Sequence, residues 1–133
     1  MNITLQAGRP LVLFGPQGCG KSTAAREIAA RHGAYVEAPA QALLSSFELG
    51  ALLARKPAVI ILDEAPAELL ASAEAGRLLF CESIVMQRKM FREERVSTPH
   101  FILCSSETNS TRMDVCDRRF VFVYLPTGKL VQP

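Results

Sequence analysis

Residues 15–22 read GPQGCGKS, which satisfies the pattern G-x-x-x-x-G-K-[ST] in full. That pattern works only where a buried strand runs into a tight loop and the loop opens a helix. Both flanks meet the requirement. PLVLFG, residues 10–15, is an apolar run of strand length, and KSTAAREIAARH, from Lys21 to about His32, is rich in helix formers. Gly33 then stands where a helix C-terminal cap is expected. The glycines let successive backbone N–H groups turn inward, and the helix N-terminus adds unpaired N–H groups and its positive dipole end. The expected ligand-holding residues are Gly15, Pro16, Gln17, Gly18, Cys19, Gly20, Lys21, Ser22 and Thr23. Lys21 is placed to reach terminal phosphates, and Ser22 to ligate Mg²⁺ through its hydroxyl. A Mg²⁺-bound nucleoside triphosphate is the ligand this implies.

The rest of the chain alternates short apolar runs with helix-patterned segments, as in an α/β fold with a parallel sheet. AYVEA (34–38), AVIILDEA (58–65), FILCSS (101–106) and RFVFVYLP (119–126) are the further strand candidates. AVIILDEA is β-branched and apolar throughout its first half, as a strand covered on both faces should be. AQALLSSFELGALLARK (40–56) reads as one helix or two, interrupted near Gly50, and residues 67–90 read as mostly helical. The expectation is a three-layer α/β fold, about five parallel strands flanked by helices. A length of 133 residues suits one domain, 1–133, with 1–9 as lead-in and 127–133 as tail.

A net charge of +2 is too small to imply a polyanionic partner by itself. Cys19, Cys81, Cys104 and Cys116 form no CxxC pair and share no ligand spacing with His32 or His100, which fits thiols of a reducing compartment. Met1 to Gln6 has no basic start and no long apolar run follows it. No stretch approaches a membrane span. A soluble cytoplasmic protein is expected.

VIILDE places two carboxylates at the C-terminal end of a buried strand, where ligands of open parallel sheets bind. Asp63 fits a residue that holds the Mg²⁺ shell, and Glu64 a base that orients and polarises an attacking water. A hydrolase needs such a carboxylate, whereas a small-molecule kinase must exclude water and place an acceptor hydroxyl. The pair favours hydrolysis.

GPQGCGKS and VIILDE, followed by FILCSSETN and DRRFVFVYL, resemble the core of an AAA+ ATPase, a P-loop NTPase, over roughly residues 10–126. Within that group the chain looks most like the superfamily 3 helicases of viruses, phages and mobile elements. The resemblance implies ATP and Mg²⁺ as cofactors, Lys21 and Ser22 as the Walker A lysine and hydroxyl, and Asp63 and Glu64 as Walker B. It implies a sensor at the end of FILCSS, taken as Ser106, with Asn109 three residues on as the other choice. Arg118 and Arg119 fall where an arginine finger would reach a neighbouring subunit's ATP, so a homo-oligomer is implied and a ring is compatible with it. The same two arginines could instead pair with Asp114 and Asp117 at the surface.

In superfamily 3 helicases the segment between Walker B and the sensor strand carries a DNA-contacting hairpin. Here that segment contains RKMFREER (88–95), with Arg88, Lys89, Arg92 and Arg95 around Met90 and Phe91. Basic groups beside an aromatic can meet single-stranded DNA through phosphates and stacking. Glu93 and Glu94 dilute the charge, so a solvated helix with i,i+4 pairs or a subunit interface is equally served.

The leading expectation is a Mg²⁺-dependent ATPase of helicase type, acting as an oligomer on DNA or with a replication partner protein. One alternative is a small-molecule kinase of the shikimate or nucleotide type, for whose acceptor AYVEA offers only Glu37. Another is a nucleotide-binding interaction module with little catalysis.

Overall fold

β1, Leu11–Phe14, is buried at all of its positions, so a strand with no polar face must lie inside the sheet. Five strands assemble in the order β2-β3-β6-β1-β7, every neighbouring pair parallel. β2 is Tyr35–Pro39, β3 Val59–Asp63, β6 His100–Ser105 and β7 Val121–Tyr124. The computed structural model describes residues 4–6, 8–16, 20–70, 72–81, 83–87, 93–106 and 120–124.

Side chains alternate across the sheet and make a core on each face. On one face Leu11, Leu13, Val59, Ile61, Ile102 and Cys104 pack against Ala24, Ala25, Ile28 and Ala29 of helix α1, Lys21–Ala30. On the other, Val12, Phe14, Ile60, Leu62, Phe101 and Leu103 meet residues of four helical elements and Ile84. These elements are a 3₁₀ turn at Ala40–Leu44, α2 at Ser46–Leu53, and α4 at Ala73–Leu79, the last preceded by the single turn α3, Ala67–Leu70. The expected three-layer arrangement with a five-stranded parallel sheet is what forms.

Two local expectations are corrected. The break in residues 40–56 falls at Ser45, not Gly50, because the Ser45 side chain accepts from the Glu48 N–H at 3.3 Å and caps α2; Gly50 lies inside that helix. The helix expected over 67–90 also ends early. α4 stops at Leu79, and β4, Ser83–Gln87, pairs antiparallel with β5, Glu93–Ser97, as a separate two-stranded sheet. Ile84 lies opposite Val96 in the backbone register and is buried in the core, so strand pairing and burial override a weak helical preference. Glu93, Glu94 and Arg95 therefore lie on a strand, and helical i,i+4 pairing does not apply to them. Residues 88–92, which join the two strands, lie outside the described residues.

Candidate functional site

The site gathers at the C-terminal ends of the parallel strands. β1 ends at Phe14, and the next N–H, of Gly15, donates to the Ser105 carbonyl at 3.2 Å. Gly20 takes the left-handed conformation at φ 84°, which a residue with a Cβ resists, and becomes the N-cap of α1. Its carbonyl accepts the Ala24 N–H at 3.0 Å and starts the helix. Lys21 is buried, with its Nζ donating to the carbonyls of Gly15 and Pro16, both at 3.0 Å. The ammonium is thus folded back on its own loop, bonded to carbonyl acceptors that a phosphate would have to replace as its partner. Ser22 and Thr23 follow on the first turn of α1. Gln17, Gly18 and Cys19 lie outside the described residues.

β3 delivers the carboxylates. Asp63 closes the strand and Glu64 follows, both exposed to solvent. Glu64 is held at φ 56°, an uncommon backbone region for a residue with a side chain. The turn is fixed from both sides: the Glu64 N–H donates to Asp63 Oδ1 at 3.1 Å, and the Ala65 N–H to the Cys104 carbonyl at 2.8 Å. The chain therefore swings across β6 immediately after the carboxylate pair. Strained backbone at an acidic strand end is where functional sites keep it.

β6 lies between β1 and β3, with Phe14 opposite Ser105 and Leu62 opposite Leu103. Its polar end therefore stands between the phosphate loop and the carboxylates. Ser106, the expected sensor, is exposed just beyond the strand, while Ser105 is fully buried. The sequence reading missed the structural part that Ser105 and Cys104 play. Their carbonyls anchor Gly15 and Ala65, and the Cys104 thiol points to the Lys21 carbonyl at 3.9 Å. Only the register of β6 between its two neighbours could have revealed this. Asn109, Asp114, Asp117, Arg118 and Arg119 lie outside the described residues.

Arg26, one turn beyond Ser22 on α1, holds Glu37 of β2 through its Nε, 3.1 Å from both carboxylate oxygens. The Arg26 guanidinium is held above its usual range first by this hydrogen bond and charge, with smaller contributions from Tyr35 and Asp63. Ser22 and Asp63 supply oxygen donors of the hard type that Mg²⁺ prefers, and few protein ligands suffice because phosphates and water complete its shell. Among the described residues, no cluster of three or more His, Cys, Asp or Glu side chains forms a self-contained metal site. A cavity of about 430 Å³ lies near Pro10 and His100, at the opposite ends of the strands, and contains none of these residues.

The model of the ATPase family associated with various cellular activities (AAA) matches residues 11–104, from the first residue of β1 to within one residue of the end of β6. The chain belongs to the AAA family. It is a nucleotide-binding P-loop protein of AAA+ type. No curated protein matches it significantly. Among solved structures, the A form apo structure of the NrS-1 C terminal region is similar at a TM-score of 0.60 and 23% identity, covering 92% of this chain. A second structure of that region, of residues 305–718, gives 0.59, 20% and 94%. This AAA protein spans 30% of the length of each of those chains, so the likeness speaks for its fold. Among the described residues no helix is long and apolar enough to cross a membrane.

Proposed function

We propose that this AAA protein is a Mg²⁺-dependent ATPase that works as an oligomer on nucleic acid. The observation that carries the reading is the junction of β1, β6 and β3, which puts Lys21, the end of β6 and the Asp63–Glu64 pair along one edge of the sheet. Lys21 neutralises charge on the terminal phosphates once it leaves the Gly15 and Pro16 carbonyls. Ser22 and Asp63 would hold Mg²⁺, which when bound would supply charge to screen and polarise those phosphates. Glu64, exposed beside Asp63, accepts the proton of an attacking water. Ser106, exposed just beyond β6, is the residue taken to touch the water or the γ-phosphate. Arg118 or Arg119 supplies the cation that meets charge developing at a neighbour's site.

The hairpin β4–β5 supports nucleic acid as the partner. It occupies the interval between the carboxylate strand and β6, where superfamily 3 helicases carry their DNA-contacting hairpin, and its connecting residues 88–92 are Arg-Lys-Met-Phe-Arg. In a kinase reading the one acceptor carboxylate, Glu37, would have to give up its exposed ion pair with Arg26.

The test is Mg²⁺-ATP turnover measured across protein concentrations, with and without single-stranded DNA. Turnover per subunit should rise with protein concentration and again with DNA, and Lys21→Ala should abolish it. Turnover that is independent of both variables would refute the oligomeric, nucleic-acid-linked reading.

A further inference from the structure

We propose that Glu37 is a positioning residue that draws the Arg26 guanidinium off Asp63, so that this pair of side chains sets the Mg²⁺ concentration at which the site loads. The inference rests on Asp63 and Ser22 being the metal ligands proposed above.

Four groups share one face of the sheet. Asp63 lies two residues beyond Ile61, whose side chain packs against α1, so alternation along β3 turns Asp63 to the α1 side. Glu37 is two residues beyond Tyr35, which packs against the same cluster. On α1, Arg26 follows Ser22 by four residues, the spacing that stacks side chains on one helix face. A cation on a long stem therefore stands among two carboxylates and the hydroxyl proposed for the metal.

Of the two carboxylates, Glu37 holds it. Both Glu37 oxygens lie 3.1 Å from Arg26 Nε, whereas Asp63 makes no ion pair among the described residues and accepts only from the next residue's N–H. Asp63 lies on the same face, two residues along β3 from Ile61, the residue opposite Glu37, and its charge adds the smallest of the contributions that raise Arg26. The Arg26 and Glu37 side chains are 50% and 39% exposed, so nothing in the core prevents the guanidinium from swinging. Without the Glu37 charge, Asp63 becomes the carboxylate that attracts it. A guanidinium and a divalent cation compete for the same carboxylate oxygens. Glu37 thus leaves Asp63 open to metal.

The two residues then have opposite effects on one measurable midpoint. Removing the Glu37 charge frees a cation to compete with Mg²⁺, and removing Arg26 leaves a carboxylate that attracts Mg²⁺. The exchange is solvent-screened, so each change is on the order of 2- to 5-fold, the range of an exposed pair.

The experiment titrates Mg²⁺ at fixed ATP in the wild type, Glu37→Gln, Arg26→Gln and the double variant. Fluorescent-nucleotide binding and turnover are both read, and thermal melts check the fold. Glu37→Gln should raise the half-saturating Mg²⁺ about 2- to 5-fold, Arg26→Gln should lower it by a similar factor, and the double variant should return to near the wild-type midpoint. The Glu37→Gln shift should shrink in high salt. A Glu37→Gln midpoint equal to the wild type's, or one that moves the same way as Arg26→Gln, overturns the proposal and leaves the metal assignment standing. A wild type whose nucleotide binding and turnover ignore Mg²⁺, with Asp63→Asn unchanged in both, overturns the metal assignment and this inference together.

Discussion

Glu64 sits at φ 56°, and a left-handed backbone costs a residue with a Cβ roughly 1–2 kcal/mol. A series at this position separates that cost from the carboxylate's chemistry. Glu64→Gly relieves the strain but gains backbone freedom in the unfolded chain, an offset of about 0.5–1 kcal/mol. The expected net change is a gain of up to about 1.5 kcal/mol, at about 4 °C in Tm per kcal/mol for a chain of this size. Glu64→Ala keeps the strain, so the glycine variant should melt higher than the alanine variant by that amount. Turnover should fall at least about 100-fold in both and in Glu64→Gln, as expected for loss of a general base, while Glu64→Gln should melt with the wild type. Lys56, at φ 52° beyond the end of α2 and before the opposite end of β3 from the carboxylates, is the control. Lys56→Gly should show the same thermal gain with turnover untouched. Differential scanning calorimetry and a phosphate-release assay suffice. An alanine variant that melts at or above the glycine variant would refute the strain argument, because only a backbone held at positive φ by its surroundings separates the two.

Three further outcomes are expected. Arg118→Ala or Arg119→Ala should lose turnover while each subunit keeps its nucleotide affinity; parent-rate hydrolysis in both variants would remove the finger assignment. Leu103→Ala should destabilise the fold by about 2–5 kcal/mol in denaturant melts, since Leu103 is fully buried on the central strand and its loss leaves a cavity. Burial, and then the nearby His32, push the His100 imidazole below its ordinary value. Its neutral form is the one the fold prefers, so its contribution is fully present above about pH 6.5 and fades as pH falls from there toward the lowered folded-state value. His100→Gln should flatten the pH dependence of Tm in that window, and an unchanged slope would assign it to other groups.

The phosphate loop and the carboxylate strand were legible in the sequence because their chemistry is local. Gly20 must be left-handed where it stands, and Asp63 and Glu64 are adjacent in the chain. The helix over 67–90 was misread for the opposite reason. What makes β4 a strand is its backbone pairing with β5, a dozen residues downstream of Ile84 at Val96, and the core that buries Ile84, neither of which periodicity within β4 displays. The sensor position shows an intermediate case. FILCSS reads as a buried strand, but that Ser105 is buried while Ser106 is exposed depends on where β6 stops relative to β1. Glu37 was visible as a lone acid on β2, and its partner was not, because the α1-to-β2 contact that brings Arg26 to it depends on packing.

The place of β6 bears on how a nucleic-acid contact and a nucleotide site would communicate. The hairpin strand β5 ends at Ser97, and only Thr98 and Pro99 separate it from the start of β6 at His100. At its other end β6 holds Gly15 through the Ser105 carbonyl and Ala65 through the Cys104 carbonyl, so one strand end supports both the phosphate loop and the turn that carries Glu64. Pro99 fixes its own φ and disfavours helix at Thr98, which leaves this connection little slack. A push or pull along β5 therefore has a short covalent route to β6, the strand whose far end holds Gly15 and Ala65. Loosening one without the other would require breaking a hydrogen bond of 2.8 or 3.2 Å at the strand end. For a protein proposed to couple ATP turnover to DNA, a strand bonded at one end to both halves of the site and joined at the other to the hairpin is a direct mechanical link among the described residues.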